Sequence, residues 1–215
     1  MIHKLVIALS KGRILKETIL LLNSIGIFFK KKYLLSRKLI LKTNNSNIKI
    51  ILVRAFDVPI YVNYGVADLG IVGRDVLFEH NLKNLYHLTD LKISKCRLSI
   101  ISKSNFDYLK FINSGLKLCV ATKYINITRK YFLSKNININ LIKLSGSLEL
   151  SPLIGLSNII VDLIDTGLTL KENNLIEIKC ILKVSSQLII NKSSLKFKNN
   201  FLQSIFKIFK KNINL

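Results

Sequence analysis

The sequence has few of the residues that cross-link or stiffen a chain. It contains no tryptophan, two prolines and three cysteines among its 215 residues. Cys96, Cys119 and Cys180 are odd in number, widely spaced and without a CxxC pair, so they support neither a disulfide framework nor a zinc site. We therefore expect a reducing, cytoplasmic environment.

Long apolar runs are missing as well. No charge-free run is long enough to cross a bilayer, and the N-terminal segment MIHKLVIALSKGR lacks the apolar core and small-residue cleavage site of a signal peptide. Phe201 to Leu215 is the one amphipathic stretch suited to contact with a membrane surface, but we expect it instead to form a helix that docks on its own domain. The sequence thus predicts no membrane partner.

Acidic residues are scarce, because 34 basic and 12 acidic side chains leave a formal net charge of +22. So strong a field attracts nucleic acid, anionic lipid or small polyanions. The lysines also accompany abundant Ile, Asn, Phe and Tyr, so an A/T-biased genome is an alternative source of the charge. Basic runs such as Lys30 to Lys32 lack interleaved aromatic residues, and no helix-turn-helix, zinc-finger or RNA-recognition signature is present. We expect no nucleic-acid partner.

Apolar runs of strand length are abundant, and hydrophobic residues make up 49% of the chain. Several runs end in a glycine or small polar residue, after which helical periodicity begins. The predicted strands of this kind are Lys4 to Leu9, Asp68 to Val72, Leu116 to Val120, Ile137 to Leu144 and Asn158 to Leu163. Leu175 to Ile190 is predicted as one or two long strands returning to the first lobe, before a C-terminal helix. This alternation predicts an α/β fold, and the length fits two lobes of about 100 residues each.

Ligands of open α/β sheets bind beyond the carboxyl ends of the strands, where helix N-termini present free amide groups to anions. The segment Ile160 to Leu170 is the sharpest such end, since an apolar strand delivers two carboxylates and then two threonines around Gly167. A phosphate monoester binds the amides and hydroxyls of such a turn, and a ribose diol binds carboxylates. The pattern predicts a sugar-phosphate site. The alternative is an ordinary helix cap formed by Asp165 or Thr166.

Three other strand ends carry charged groups. Lys11-Gly12-Arg13 places two cations around a glycine, which suits pyrophosphate or triphosphate oxygens, with a solvated loop as the alternative. Arg54 ends a predicted buried strand, at a position where it can contact a ligand. The alternative is that it only forms a structural ion pair with Asp57. Ser145 to Glu149 adds hydroxyls and a carboxylate at a further helix start. The three histidines sit away from these ends, so we expect no Ser-His or Cys-His catalysis.

Taken in order, these segments resemble the ATP phosphoribosyltransferase family in its short form, through nearly the whole chain. The segments that carry the resemblance are Ala8 to Arg13, Ser36 to Leu39, Arg54 to Val62, Ala67 to Leu77, Ser94 to Arg97, Ala121 to Tyr124, Leu144 to Leu156 and Ile160 to Asn173. The resemblance implies an enzyme that transfers the 5-phosphoribosyl group of phosphoribosyl pyrophosphate to ring nitrogen 1 of ATP. Pyrophosphate would be released, and the reaction would open L-histidine biosynthesis.

The resemblance also implies an architecture. It is a two-lobed α/β fold like the type II periplasmic binding proteins, with mixed sheets flanked by helices and a cleft between the lobes. Lobe I would comprise residues 1–90 with 180–215, and lobe II residues 91–179, which include the donor loop.

Residue roles follow from the same resemblance. Arg13 and Arg54 would be catalytic, facing the polyphosphate groups. The residues expected to bind phosphoribosyl pyrophosphate are Glu149, Asp162, Asp165, Thr166, Gly167, Leu168 and Thr169. Among them, Asp165 to Thr169 would hold the 5-phosphate, with Asp162 and Glu149 near ribose and Mg²⁺. The residues expected to bind ATP are Lys11, Gly12, Arg37, Asp57, Gly70 and Gly73.

The resemblance implies a partner too, a separate regulatory subunit similar to histidyl-tRNA synthetase, in a hetero-octamer. Two competing interpretations remain at this point. One is a non-catalytic protein of the same fold that binds a phosphorylated metabolite. The other is a basic nucleic-acid-binding protein, for which the net charge is the whole case.

Overall fold

The structure is a computed structural model that describes residues 4–29, 37–197 and 202. This part of the chain contains eleven strands and eight helices, with a 3-10 turn at Ala55–Asp57. The strands are β1 Leu5–Ser10, β2 Ile40–Lys42, β3 Ile48–Val53, β4 Leu69–Gly73, β5 Leu85–Asp90, β6 Cys96–Lys103, β7 Leu118–Thr122, β8 Ile139–Lys143, β9 Ile159–Ile164, β10 Leu175–Val184 and β11 Ser186–Asn191. The helices are α1 Arg13–Ser24, α2 Val58–Asn63, α3 Arg74–His80, α4 Tyr108–Asn113, α5 Ile125–Leu133, α6 Leu150–Leu153, α7 Leu168–Glu172 and α8 Lys192–Phe197.

The chain forms two compact units. One comprises the described residues up to Ser94 and those from Ser185 onward, and the other is Lys95–Val184. The chain therefore passes between the units twice. The second unit begins four residues later and ends five residues later than the bounds expected for lobe II. It ends later because β10 stays paired with β6 as far as Val184.

The first unit contains a six-stranded mixed sheet in the order β2-β3-β1-β4-β11-β5. Strand β1 is parallel to β3 and β4, with Ser10 opposite Val53 and Leu9 opposite Ile71. Strand β11 runs antiparallel to β4 and β5, and β2 antiparallel to β3. The central strands are buried along almost their whole length, as expected for strands covered on both faces. The carboxyl ends of β3, β1 and β4 therefore share one edge.

The second unit contains a five-stranded mixed sheet in the order β10-β6-β9-β7-β8. Strands β9, β7 and β8 are parallel, whereas β6 runs antiparallel to both β9 and β10. Ile101, Ile160 and Leu170 pack into one apolar cluster on the face that carries α7. This cluster supports the loop between β9 and α7 from beneath.

Gly70 shows how closely α2 packs on the first sheet. A Cβ atom at Gly70 would lie 2.8 Å from Val62 Cγ2 and 2.9 Å from Val58 Cγ1. Such contacts are too short for a packed core, so the missing side chain lets α2 approach β4. Gly70 lies inside β4, within the strand predicted over Asp68 to Val72.

The predicted α/β fold, with mixed sheets flanked by helices, is confirmed. The five predicted strand–helix pairs are β1–α1, β4–α3, β7–α5, β8–α6 and β9–α7. The segment Leu175 to Ile190 forms two strands, and only β11 joins the first unit. The predicted C-terminal helix from Phe201 lies outside the described residues, except for Leu202, which is helical and buried. The cleft between lobes stays a prediction.

The predictions made from the few cysteines and from the missing long apolar runs can be compared with the structure. Cys96, Cys119 and Cys180 are all free in the structure. None of the helices in the described ranges combines the length and the apolarity needed to cross a membrane.

Candidate functional site

The loop between β9 and α7 has the geometry of an anion site. Gly167 precedes α7 in the left-handed conformation, with φ of 81° and ψ of 5°, which glycine adopts without strain. The first amide groups of a helix have no carbonyl partner within the helix. Thr166 caps the helix only weakly, because the hydrogen bond that Leu168 N–H donates to Thr166 Oγ1 is long, at 3.4 Å.

A pocket of about 160 Å³ lies beside this loop. It is lined by Glu149, Asp162, Asp165, Thr166, Gly167 and Thr169, together with Leu163 and the apolar side chains of Ile101, Ile160, Ile164 and Leu170. Six of the seven residues expected to bind the donor thus share one pocket. The seventh, Leu168, begins α7 with an exposed side chain.

Asp162 is a largely buried carboxylate of the pocket, with its side chain 18% exposed. Lys123 Nζ lies 3.3 Å from Asp162 Oδ1, and the Leu163 amide donates a 2.8 Å hydrogen bond to the same oxygen. Burial raises the pKa of Asp162, while the Lys123 charge and the Leu163 amide partly offset that rise. A further cation or hydroxyl donor in the pocket would favour the ionised carboxylate.

Glu149, at the start of α6, supplies a second carboxylate. Its charge also raises the pKa of Asp162 by repulsion. Within the described residues, no three His, Cys, Asp or Glu side chains come together as a complete metal cage. Two carboxylates fit a hard divalent cation that completes its coordination with water and substrate phosphates, which is the usual manner of Mg²⁺.

Apart from Gly70, which lies inside β4, the residues expected to bind ATP lie at or close to the shared carboxyl edge of β3, β1 and β4 in the first unit. Gly12 forms the turn after β1 with φ of 101°, which again favours glycine. Gly73 ends β4, the parallel neighbour of β1. Arg37 precedes β2, whose start lies beside the end of β3 because Leu52 N–H donates to Leu39 O at 2.8 Å.

The two predicted catalytic arginines follow adjacent strand ends of the same edge. Arg13 begins α1 and donates from Nη2 to the Ser94 carbonyl at 3.2 Å. Arg54 follows β3 and is exposed. In the described part of the chain, Arg54 forms no ion pair with Asp57; the Asp57 amide donates instead to the Arg54 carbonyl, at 2.9 Å. The alternative of a structural ion pair is therefore not realised.

Lys123 is a residue of the site that sequence reasoning gave no role. It follows β7 and meets Asp162 because β7 pairs with β9, with Thr122 opposite Val161. Its ammonium also lies 5.1 Å from the centroid of the Tyr124 ring. A basic residue directly after a buried strand is the only local signal, and it is weak in a chain with 34 basic residues.

Comparison with known proteins gives a consistent result. The family model described as ATP phosphoribosyltransferase matches residues 54–211. Relatives named ATP phosphoribosyltransferase from Herminiimonas arsenicoxydans and Janthinobacterium sp. (strain Marseille) are each 49% identical over 209 residues. The alignments cover 97% of this chain and 93% and 95% of the two relatives. The short form expected from the resemblance is thus confirmed.

Solved structures agree with the sequence relatives. The ATP phosphoribosyl transferase (HisG:HisZ) complex from Thermotoga maritima contains a chain that superimposes with a TM-score of 0.81 at 30% identity, covering 98% of both chains. The periplasmic aliphatic sulphonate binding protein SsuA from Escherichia coli shares the fold alone, with a TM-score of 0.63 at 14% identity over 98% of this chain and 72% of that one. The chain belongs to the ATP phosphoribosyltransferase family, the pentosyltransferases that catalyse the first step of histidine biosynthesis.

Proposed function

We propose that this chain binds phosphoribosyl pyrophosphate through the pocket of the second unit. The observation that carries the proposal is the convergence of Glu149, Asp162 and residues 165–169, apart from Leu168, on one small pocket beside a helix start. Amides and threonine hydroxyls of the loop donate to the 5-phosphate. Asp162 and Glu149 accept hydrogen bonds from the ribose hydroxyls.

The reaction needs orientation more than proton transfer. Ring nitrogen 1 of adenine already has a lone pair, so it attacks the anomeric carbon of the donor without a strong general base. The bond from that carbon to the pyrophosphate oxygen breaks with inversion, and the leaving group takes the electron pair. The protein therefore has to hold two polyanions in line and offset the charge that develops on pyrophosphate.

Members of this family need a divalent metal ion, and we propose Mg²⁺. Asp162 and Glu149 are the carboxylates that would hold it, in part through the donor's own oxygens. When bound, the ion neutralises phosphate charge. Lys123 restrains Asp162 meanwhile, so the carboxylate stays oriented.

The first unit supplies the cations for the polyphosphate groups in this proposal. Arg54 is the stronger candidate, since it is exposed and has no carboxylate partner among the described residues. Arg13 is the other candidate, and its Nη2 donates to the Ser94 carbonyl. Lys11, Gly12, Arg37, Asp57 and Gly73 lie at or close to the same sheet edge and are assigned to ATP. Gly70 is also assigned to ATP, although packing beneath α2 already accounts for it.

A regulatory partner is also part of the proposal. The similar chain from Thermotoga maritima was solved as a HisG:HisZ complex. By that likeness, this chain assembles with a separate subunit resembling histidyl-tRNA synthetase, in a hetero-octamer. We propose a cytoplasmic location, which the three free cysteines support.

The test is direct detection of product. The whole chain is mixed with ATP, phosphoribosyl pyrophosphate and Mg²⁺, with and without the regulatory subunit, and the phosphoribosyl-ATP adduct is measured by mass spectrometry. We expect an adduct and one pyrophosphate per adduct. Folded protein that yields no adduct in either mixture would refute the activity for this chain.

A further inference from the structure

A second charged cluster lies in the same unit, and the proposed reaction gives it no role. Arg97 donates to both oxygens of Glu177, from Nε at 2.8 and 2.9 Å and from Nη2 at 2.6 Å. Ser99 Oγ donates to Glu177 Oε1 at 2.8 Å. Hydrogen bonds from Arg97 lower the pKa of Glu177, which keeps the pair charged. The arginine is thus fixed in orientation on one side.

The opposite side of this guanidinium is open. The Arg97 side chain is 40% exposed. Within the described residues, its Nη1 group has no hydrogen-bond acceptor, since all three bonds to Glu177 use Nε and Nη2. An arginine anchored by a carboxylate through one edge can present its remaining donors to an anion with little loss of side-chain entropy.

Strand register places this arginine next to the donor loop. Arg97 is the partner of Ile164, the last residue of β9, and Ser99 is the partner of Asp162. Directly opposite residues of an antiparallel pair lie about 4.5–5.5 Å apart and point to the same face. Ile164 and Asp162 both line the pocket. Arg97 therefore lies on the pocket's face of the sheet and at the edge where the loop begins.

The path of α7 strengthens this placement. After the loop, α7 passes from β9 to β10 and packs against β10. Its Leu170 joins Ile101 of β6 in the apolar cluster of that face. The start of α7, where the 5-phosphate binds in the proposed function, thus lies on the side of the sheet that carries Arg97 and Glu177.

The loop itself has no cation to balance a phosphate. Residues 165–169 contribute amides, two hydroxyls and the carboxylate of Asp165. Lys123, a basic residue at the same edge, is paired with Asp162. A phosphate monoester carries a charge of about −1.5 to −2 at pH 7, and such groups favour a charge-assisted, fixed guanidinium partner.

We propose that Arg97 is a further binding residue for the donor's 5-phosphate, through Nη1, and that Glu177 and Ser99 are its positioning residues. This inference rests on the proposed function of the loop. It predicts that a sugar 5-phosphate binds more weakly when the guanidinium is lost. The affinity for pyrophosphate, which has no sugar 5-phosphate, should be unaffected.

The experiment measures the binding of ribose 5-phosphate and of inorganic pyrophosphate to the whole chain by calorimetry. Arg97→Lys keeps the charge next to Glu177 but loses the planar fork, and we expect ribose 5-phosphate to bind about tenfold more weakly. The double variant Arg97→Gln with Glu177→Gln leaves the net charge unchanged, so an equal or larger loss there is due to the guanidinium rather than to the long-range field. Arg129→Lys, at an exposed arginine of α5, is the matched control and should bind as the wild type does.

Thermal unfolding of each variant shows that the protein measured is folded, and Arg97→Lys leaves no buried charge unpaired. Wild-type affinity for ribose 5-phosphate in both Arg97 variants would overturn this inference and leave the loop's role intact. A parallel loss for pyrophosphate would overturn it as well, since the effect would then not concern the 5-phosphate. A wild-type chain that binds no ribose 5-phosphate would refute the proposed donor site together with this inference.

Discussion

Asp162 is a carboxylate under opposing influences. Burial and the Glu149 charge raise its pKa, and Lys123 with the Leu163 amide lower it. The net effect is a raised pKa, so Asp162 is protonated more readily than a carboxyl group in water. Binding of ribose and of a metal ion nevertheless needs the ionised carboxylate. Lys123 is thus expected to keep Asp162 ionised at neutral pH.

Replacing Lys123 by Met tests this role. The variant removes the charge that lowers the pKa of Asp162, so the pKa rises further above its ordinary value. Activity that needs the carboxylate is lost as pH falls through that pKa, so the acid limb of the pH profile should move to higher pH in Lys123→Met. The measurement is kcat/KM for the donor against pH, with Lys130→Met on α5 as a control. An acid limb that does not move would refute the coupling.

Thr169 contributes a hydroxyl to the pocket. Thr169→Val keeps the shape of the side chain and removes one charge-assisted hydrogen bond to phosphate, which is worth about 1.5–3 kcal/mol, or roughly 10- to 150-fold in donor kcat/KM. Thr169→Ser restores the hydroxyl and should recover most of the loss. Steady-state kinetics with varied donor concentration measures both. Unchanged KM and turnover in Thr169→Val would remove this hydroxyl from the site.

Which residues come together in the structure was predictable where the residues are neighbours in sequence. The turn from Asp165 to Thr169 combines carboxylate, glycine and hydroxyls within five positions, so its pattern is local. The pairs Lys123–Asp162 and Arg97–Glu177 join distant parts of the chain through strand pairing. In so basic a sequence, the position of a lysine or arginine does not indicate which carboxylate it pairs with. Neither pair could therefore be predicted.

At the scale of elements, the strands followed by helices were predicted well, since a glycine or small polar residue marks each junction. Strands β2, β5 and β6 are not followed by a junction of that kind, and only the sheet pairing identifies them. Strand β6 is the most consequential omission, because it lies between β9 and β10 and carries Arg97. Helix α6 follows the helix start predicted at Ser145 to Glu149 and spans only Leu150–Leu153.

The loop before α7 depends on the backbone conformation of one glycine. Gly167 has φ of 81°, and Gly155, in the same unit but outside the pocket lining, has φ of 80°. A Cβ at either position meets no atom closer than 3.9 Å, so alanine acts through backbone strain alone, about 1–2 kcal/mol. We expect Gly167→Ala and Gly155→Ala to lose similar stability in urea unfolding.

Donor binding separates the two variants. Only Gly167→Ala displaces the amides that hold the 5-phosphate, so only it should weaken ribose 5-phosphate binding measured by calorimetry. Equal affinities in the two variants would show that the conformation of this turn has no part in the site.

For the whole molecule, the net charge of +22 is compatible with an enzyme whose two substrates are both polyanions. In this family, the positive charge can serve to attract the polyanionic substrates, so it does not require a nucleic-acid partner. The sequence predicted the family because its segments occur in order along nearly the whole chain, and relatives 49% identical over 209 residues confirm it. The relation between the two units is a tertiary property that local patterns do not encode.

The central claim is that residues 165–169 hold the donor's 5-phosphate. A crystal structure of the whole chain with phosphoribosyl pyrophosphate and Mg²⁺ tests it most directly. We predict 5-phosphate oxygens about 2.7–3.2 Å from the Gly167 and Thr169 amide nitrogens. A 5-phosphate bound instead at the Lys11-Gly12-Arg13 turn, with the β9–α7 loop free of ligand, would contradict the account.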